Sequence, residues 1–143
     1  NFFSKKNIQL QYVCCLYPAT PLLDSNDITK ALQILKASKK DIYVFSAAKY
    51  SHPIQRSFFI KKDGYSKMFF SEDFHKRTQD LQSAYHDAGQ FYIASANTWL
   101  NKENIFENSL PYILSTNKSI DIDTMEDWKL AELIYEINQK EKQ

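Results

Sequence analysis

Glycine is almost missing from this chain: Gly64 and Gly89 are the only two among 143 residues. A loop that cradles phosphate needs several glycines within a few positions, so residues 1–143 contain none. Cysteine is equally scarce. Cys14 and Cys15 are adjacent, which suits neither a disulfide framework nor a tetrahedral zinc site. Set in an apolar run, they are expected to be buried, reduced thiols, and the expected setting is cytoplasmic. An excess of either charge is lacking too. With 18 basic and 17 acidic residues, a net charge of +1 and no basic block, the chain shows no electrostatic footprint for nucleic acid. No apolar run approaches the roughly 20 residues of a membrane-spanning helix, and the opening stretch does not read as a signal peptide. What remains, 43% hydrophobic and 24% charged, describes one ordinary globular domain over residues 1–143. The chain opens on Asn1 rather than Met, in a polar stretch that runs straight into an apolar strand, and is expected to begin mid-protein.

Tyr12 to Leu16 is a continuous apolar run closed by Pro18, the pattern of a strand buried on both faces of a parallel sheet. Asp24 to Ser38 predicts a helix, with Asp24 as cap, Asp27 in the first turn and Ile28, Ala31, Leu32 and Leu35 on one stripe. Asp41 to Ala48 predicts a second buried strand. The three make a βαβ unit, so the two strands should be parallel. Arg56 to Lys61 and Tyr65 to Phe70 predict a hairpin around Lys62-Asp63-Gly64. Residues 71–88 are polar and weakly periodic, with room for a short helix. Phe91 to Ala94 and Leu110 to Leu114 read as strands, and Ala96 to Leu100 as a short helix. A last helix runs to about Lys140, burying Trp128, Ala131, Ile134 and Tyr135. The class is α/β, with an inserted hairpin and arm over residues 52–88. An aromatic-rich insertion suits either an interface with a second subunit or a fold back over the sheet.

Asp121-Ile122-Asp123-Thr124 carries the sharpest chemical signal. If Ile120 to Asp123 ends a strand, both carboxylates share one face, and Thr124 caps the final helix with Asp127 in the capping-box position. Acids at this place serve capping and the helix dipole, or else hold a hard cation such as Mg²⁺. Pro18-Ala19-Thr20-Pro21 stiffens the turn after the first strand and presents Tyr17 and Thr20, although a plain connection uses the same residues. His52-Pro53-Ile54-Gln55-Arg56 follows the second strand, and Arg56 beside Gln55 can hold a carboxylate or phosphate. Arg77-Thr78-Gln79-Asp80 and Tyr85-His86-Asp87-Ala88-Gly89-Gln90-Phe91-Tyr92 form the densest polar cluster, with Gly89 as its breaker. His86 and Asp87 are neighbours that face opposite ways in a strand, so they are no catalytic dyad. Binding of polar sugar hydroxyls suits the set better.

Taken in order, Tyr-Val-Cys-Cys-Leu-Tyr-Pro-Ala-Thr-Pro-Leu, His-Pro-Ile-Gln-Arg, Arg-Thr-Gln-Asp-Leu, Tyr-His-Asp-Ala-Gly-Gln-Phe-Tyr and Asp-Ile-Asp-Thr-Met-Glu-Asp-Trp resemble the later two-thirds of the pseudaminic acid cytidylyltransferases. These are grouped with the CMP-sialic acid synthetases. The Pro-Ile-Gln-Arg and His-Asp-Ala-Gly-Gln stretches favour the pseudaminate branch; sialate enzymes carry Gln-Pro-Thr-Ser-Pro and Asn-Gly-Ala motifs there. The resemblance implies a mostly parallel, Rossmann-like sheet of the nucleotide-diphospho-sugar-transferase type, incomplete at its amino end, with an arm for dimerisation. It implies transfer of CMP from CTP to a nine-carbon α-keto acid sugar, Mg²⁺ as cofactor held by Asp121 and Asp123, and a homodimer. Tyr17, Pro18 and Thr20 would lie beside sugar or nucleotide. Gln55, Arg56, Gln79, His86, Asp87 and Gln90 would line the sugar pocket, with Arg77 contributed across the dimer. The family's amino-terminal strand and Ala-Arg-x-Gly-Ser-Lys loop have no counterpart in residues 1–143. Met125 stands where proline is usual, and Ala19-Thr20 departs from the usual proline loop. The natural enzyme is therefore expected to be longer, this chain a truncated copy or fragment, and the first strand an exposed apolar edge.

Overall fold

A computed structural model describes residues 9–140; the opening polar stretch, residues 1–8, lies outside them. The elements are β1 (Tyr12–Leu16), α1 (Ser25–Ser38), β2 (Val44–Lys49), β3 (Phe58–Ile60), β4 (Ser66–Met68), β5 (Tyr85–Ser95), α2 (Ala96–Asn101), β6 (Leu110–Ile113) and α3 (Met125–Lys140). The main sheet has the order β1-β5-β2-β6.

Its topology departs from the expected one. β1 and β2 do point the same way across α1, but β5 lies between them and runs against both, while β2 and β6 pair in parallel. The sheet is mixed, with two antiparallel ladders and one parallel, rather than mostly parallel. The reason is the excursion after β2. Its base is closed where the Tyr50 amide donates to the Ala84 carbonyl at 3.1 Å, so the chain returns to the end of the sheet it left and must run back. Inside the excursion β3 and β4 form the expected hairpin, with Gly64 at φ +83° in its turn. The polar 71–84 segment holds two single 3₁₀ turns, Ser71–Asp73 and Thr78–Asp80, rather than a helix.

The core is built where periodicity placed it. Asp24 caps α1 by accepting from the Asn26 amide at 2.8 Å, and Ala31 and Leu35 pack on Ile42, Val44, Phe91 and Ile93. On the opposite face Phe45, Ala47 and Tyr92 pack against Trp99 and Ile105. The strand buried on both faces is therefore β2, not β1. Among the described residues β1 pairs only with β5, and Cys14, Cys15 and Leu16 are exposed, which corrects the expectation of buried thiols. The apolar edge expected there is present. No helix among the described residues is long and apolar enough to cross a membrane.

β5 is longer than expected because Tyr85 to Gln90 joins it through a bulge. Phe45 pairs with Tyr92 and Ala47 with Asp87, so Ser46 alone faces residues 88–91. Gly89 takes φ +61° in the bulge. The buried Ser46 Oγ accepts from both the Gln90 amide (3.0 Å) and the Phe91 amide (3.1 Å), satisfying donors that the ladder has dropped.

The final helix is capped as its sequence predicts. The Asp127 amide donates to Thr124 Oγ1 at 3.2 Å, and Asp127 Oδ2 accepts from the Thr124 amide at 2.8 Å. The Thr124 hydroxyl donates to the same Oδ2 at 2.6 Å, and that bond, followed by the one from the Thr124 amide, holds the Asp127 carboxyl below its ordinary range. Of the expected stripe, Ala131 is buried and Ile134 half-buried, whereas Trp128 and Tyr135 stay half exposed.

Candidate substrate and metal site

Strand direction decides which loops meet. β1, β2 and β6 end at one edge of the sheet, and β5, running against them, begins there. That edge gathers the proline loop after β1, the His52–Arg56 turn after β2, the His86–Gln90 bulge and the acidic stretch after β6. In open α/β sheets this is the usual place for ligands.

At its centre the Tyr17 amide donates to the Gln90 carbonyl at 3.0 Å, and the Tyr17 ring lies 5.5 Å from that of Tyr92. Thr20 Oγ1 donates back to the Tyr17 carbonyl at 3.1 Å, which stiffens the loop; Pro18 is exposed beside it. Asp87 is held at both oxygens, Oδ1 by the Gly89 amide at 3.0 Å and Oδ2 by the Tyr92 hydroxyl. Burial, and then the Asp87 carboxylate, push the Tyr92 hydroxyl far above its ordinary pKa, so it stays a donor. His86 Nδ1 lies 2.8 Å from the backbone carbonyl of Asp87, not from its carboxylate, and the two form no dyad. The His86 ring lies tilted against that of Tyr50, with centroids 4.8 Å apart, and borders a cleft of about 550 Å³ with Ser51, Ser119 and Ile120. Gln79 lines a separate cavity of about 300 Å³ with Tyr50, His52 and Gln82.

Other expected site residues are engaged within the chain itself. Gln90 is 1% exposed; its Nε2 donates inward to the Lys118 carbonyl and its Oε1 has no partner. Arg56 turns its guanidinium to the backbone carbonyls of Asp73 (3.4 Å), Phe74 (2.9 Å) and Lys76, closing the arm. Gln55 Nε2 donates to the Gln82 carbonyl at 3.1 Å, leaving a buried, unpartnered Oε1. Arg77 is exposed and paired with Asp80 at 2.8 Å.

Asp121 and Asp123 do not end a strand. Residues 119–123 have no ladder partner, because β6 stops at Ile113 and a 3₁₀ turn (Thr116–Lys118) follows. The alternation nevertheless survives: Ile120 and Ile122 are half-buried, and both acids are exposed. Ile120 borders the His86 cleft, whereas Ile122 lines an apolar cavity of about 240 Å³ with Pro21 and Trp128. Among the described residues neither carboxylate is engaged in a hydrogen bond or ion pair, and no group of three or more His, Cys, Asp or Glu is clustered for a metal. Two free carboxylates fit a Mg²⁺ that takes its remaining oxygens from substrate phosphates and water.

Sequence reasoning missed three supports of this edge: Ser46 in the bulge, Tyr92 behind Asp87, and the Asp27–Lys118 ion pair at 2.6 Å. Asp27 also accepts from the Tyr112 hydroxyl at 2.9 Å. The only signal for that network was an acid in a helix's first turn, which usually serves the dipole.

No protein-family model matches the chain. It is 38% identical over 130 residues, 89% of its length, to a pseudaminic acid cytidylyltransferase of Campylobacter jejuni. It is 36% identical over 110 residues, 76% of its length, to a Helicobacter pylori protein named for that cytidylyltransferase and for a UDP-2,4-diacetamido-2,4,6-trideoxy-beta-L-altropyranose hydrolase, of which the match covers 21%. An Escherichia coli N-acylneuraminate cytidylyltransferase is 30% identical over 129 residues, 89% of this chain and 30% of its own. The match covers 55% of the Campylobacter protein, so the chain spans about half the length of that curated relative. The likeness read from the five motifs is thus found again as aligned identity.

Proposed function

We propose that this chain supplies the sugar- and metal-binding side of a nucleotidyltransferase that moves CMP from CTP to pseudaminic acid, giving CMP-pseudaminate and pyrophosphate. The observation that carries the reading is the convergence of the proline loop, the His86–Gln90 bulge and the acidic stretch on one sheet edge, in a chain 38% identical to a pseudaminic acid cytidylyltransferase. In the reaction the anomeric hydroxyl oxygen attacks the α-phosphorus of CTP, the bond to the β-bridging oxygen breaks, pyrophosphate leaves, and the hydroxyl proton passes to water. Asp121 and Asp123 would hold Mg²⁺, which when bound offsets charge on the phosphates. Asp87, fixed by Gly89 and Tyr92, keeps acceptor capacity for a sugar hydroxyl, and His86, Tyr50 and Gln79 offer further polar contacts. The complete enzyme would work in the cytoplasm, with access to the CTP pool. Identity falls from 38% to 30% between the pseudaminate and N-acylneuraminate relatives, which favours pseudaminate.

A second reading, sugar binding without transfer, draws on one observation: Gly64 serves the hairpin turn at φ +83° and Gly89 the β5 bulge at +61°, and none is left for a triphosphate loop within residues 1–143. Two measurements separate the readings. Calorimetry with pseudaminate and with sialate tests sugar choice, and pyrophosphate release from CTP with Mg²⁺ tests transfer. Pseudaminate binding with release supports the enzyme, binding without release supports the second reading, and the absence of pseudaminate binding sinks both.

The arm is assigned to dimerisation on the strength of its apolar exposure: Ile60 and Tyr65 are each 72% exposed, with Phe58 and Phe69 beside them. Light scattering should find a dimer, and Ile60→Lys combined with Tyr65→Lys should yield a monomer. A wild-type monomer at high concentration would remove this assignment.

A further inference from the structure

Among the described residues, the loop that carries the acidic pair is attached to the rest of the fold by polar bonds at a single residue. Between Ser115 and Thr124 the other hydrogen bonds are local. The Lys118 and Ser119 amides return to Ser115 and Thr116, Ser115 Oγ meets Asn117, and the Asp123 and Thr124 amides go to Asp127. Of the described residues in this stretch, Lys118 alone reaches across the fold. Its Nζ meets Asp27 Oδ2 at 2.6 Å on the first turn of α1, and its carbonyl accepts from Gln90 Nε2 in the β5 bulge. The ion pair is well shielded, with the Lys118 side chain 26% and the Asp27 side chain 11% exposed, and the Tyr112 hydroxyl of β6 fills the other Asp27 oxygen. Helix and bulge therefore converge on Lys118, three positions before Asp121, and the strand braces the helix side of the pair through Asp27.

From this we infer that Lys118 is the positioning residue of the acidic loop: the Asp27–Lys118 pair fixes where residues 119–123 leave the core, and so where Asp121 and Asp123 stand. The inference rests on the metal role proposed above for those two acids. A shielded pair of this kind does little for net stability, but breaking one half leaves a charge stranded, so a single substitution would confuse positioning with misfolding. The double variant Asp27→Asn with Lys118→Met avoids this, since the amide oxygen introduced on α1 still accepts from Tyr112 and no buried charge remains.

Two readouts test it. Hydrogen exchange at the bonded Ser119 and Asp123 amides should speed up by about tenfold in the double variant, while β2 and the Phe91–Ala94 part of β5 keep their protection. Manganese binding to the same chains, followed by electron paramagnetic resonance, should weaken by about tenfold, as the loss of a group that orients metal ligands commonly does. Unchanged exchange at the Ser119 and Asp123 amides, or exchange raised evenly along the chain, overturns the positioning role. A wild-type chain whose manganese binding is absent, or survives Asp121→Asn with Asp123→Asn, overturns the metal role and with it this inference. The two failures are read from different measurements.

Discussion

Individual side chains at the sheet edge are held more firmly than their exposure suggests. Asp87 is exposed, yet both its oxygens are occupied, one by the bulge amide of Gly89 and one by Tyr92. Tyr112 plays the matching part under Asp27. Burial, followed by the Asp27 carboxylate, pushes its hydroxyl up from 10.0 to about 12. The folded state therefore keeps a proton that the unfolded chain gives up above its ordinary pKa. This contribution is complete below pH 10.0 and is lost as pH rises toward about 12. Tyr112→Phe should accordingly show a shallower loss of stability across that window than the wild type, measured by urea unfolding at stepped pH. Parallel slopes would mean that neither burial nor Asp27 raises the hydroxyl's pKa. None of these pairings was legible beforehand, because Asp27 and Lys118 are 91 positions apart and nothing local distinguishes either.

Elements were legible to the degree that their own residues determine them. The capped α1 and α3, the Gly64 hairpin and the apolar β2 follow from periodicity, capping chemistry and turn preference, all local properties. β5 was only half legible. Phe91 to Ala94 announces a strand, but Tyr85 to Gln90 is polar and joins it solely because Ser46, on another strand, caps two amides of the bulge. Ser46→Ala should therefore destabilise the chain by about 3 kcal/mol, since two buried donors lose their acceptor. Gly89→Ala meets no atom within 4 Å but is strained at φ +61°, and should cost about 1 kcal/mol. Denaturant titration of both variants checks the order. A larger loss at Gly89 would mean that backbone strain, not the serine, governs the bulge.

On the scale of the whole molecule, the decisive feature is the return of the chain after the arm. It sets β5 against its neighbours, makes the sheet mixed, and leaves β1 at the edge with exposed thiols. A thiol reagent should titrate both cysteines in the native chain. Cys14 should react more slowly, as partial burial, and then Cys15, push its thiol up. Protection of both would mean that β1 is covered in solution. The sequence by itself determined the α/β class, the helix caps, the hairpin and the order of the five motifs, because each depends on contacts within a few residues. Tertiary structure alone decided strand order, the inward turn of Arg56 and Gln90, and the anchoring of the acidic loop through Lys118. Those depend on which distant groups are left needing a hydrogen-bond partner once the chain has closed, and that demand is set by the fold rather than by any local stretch.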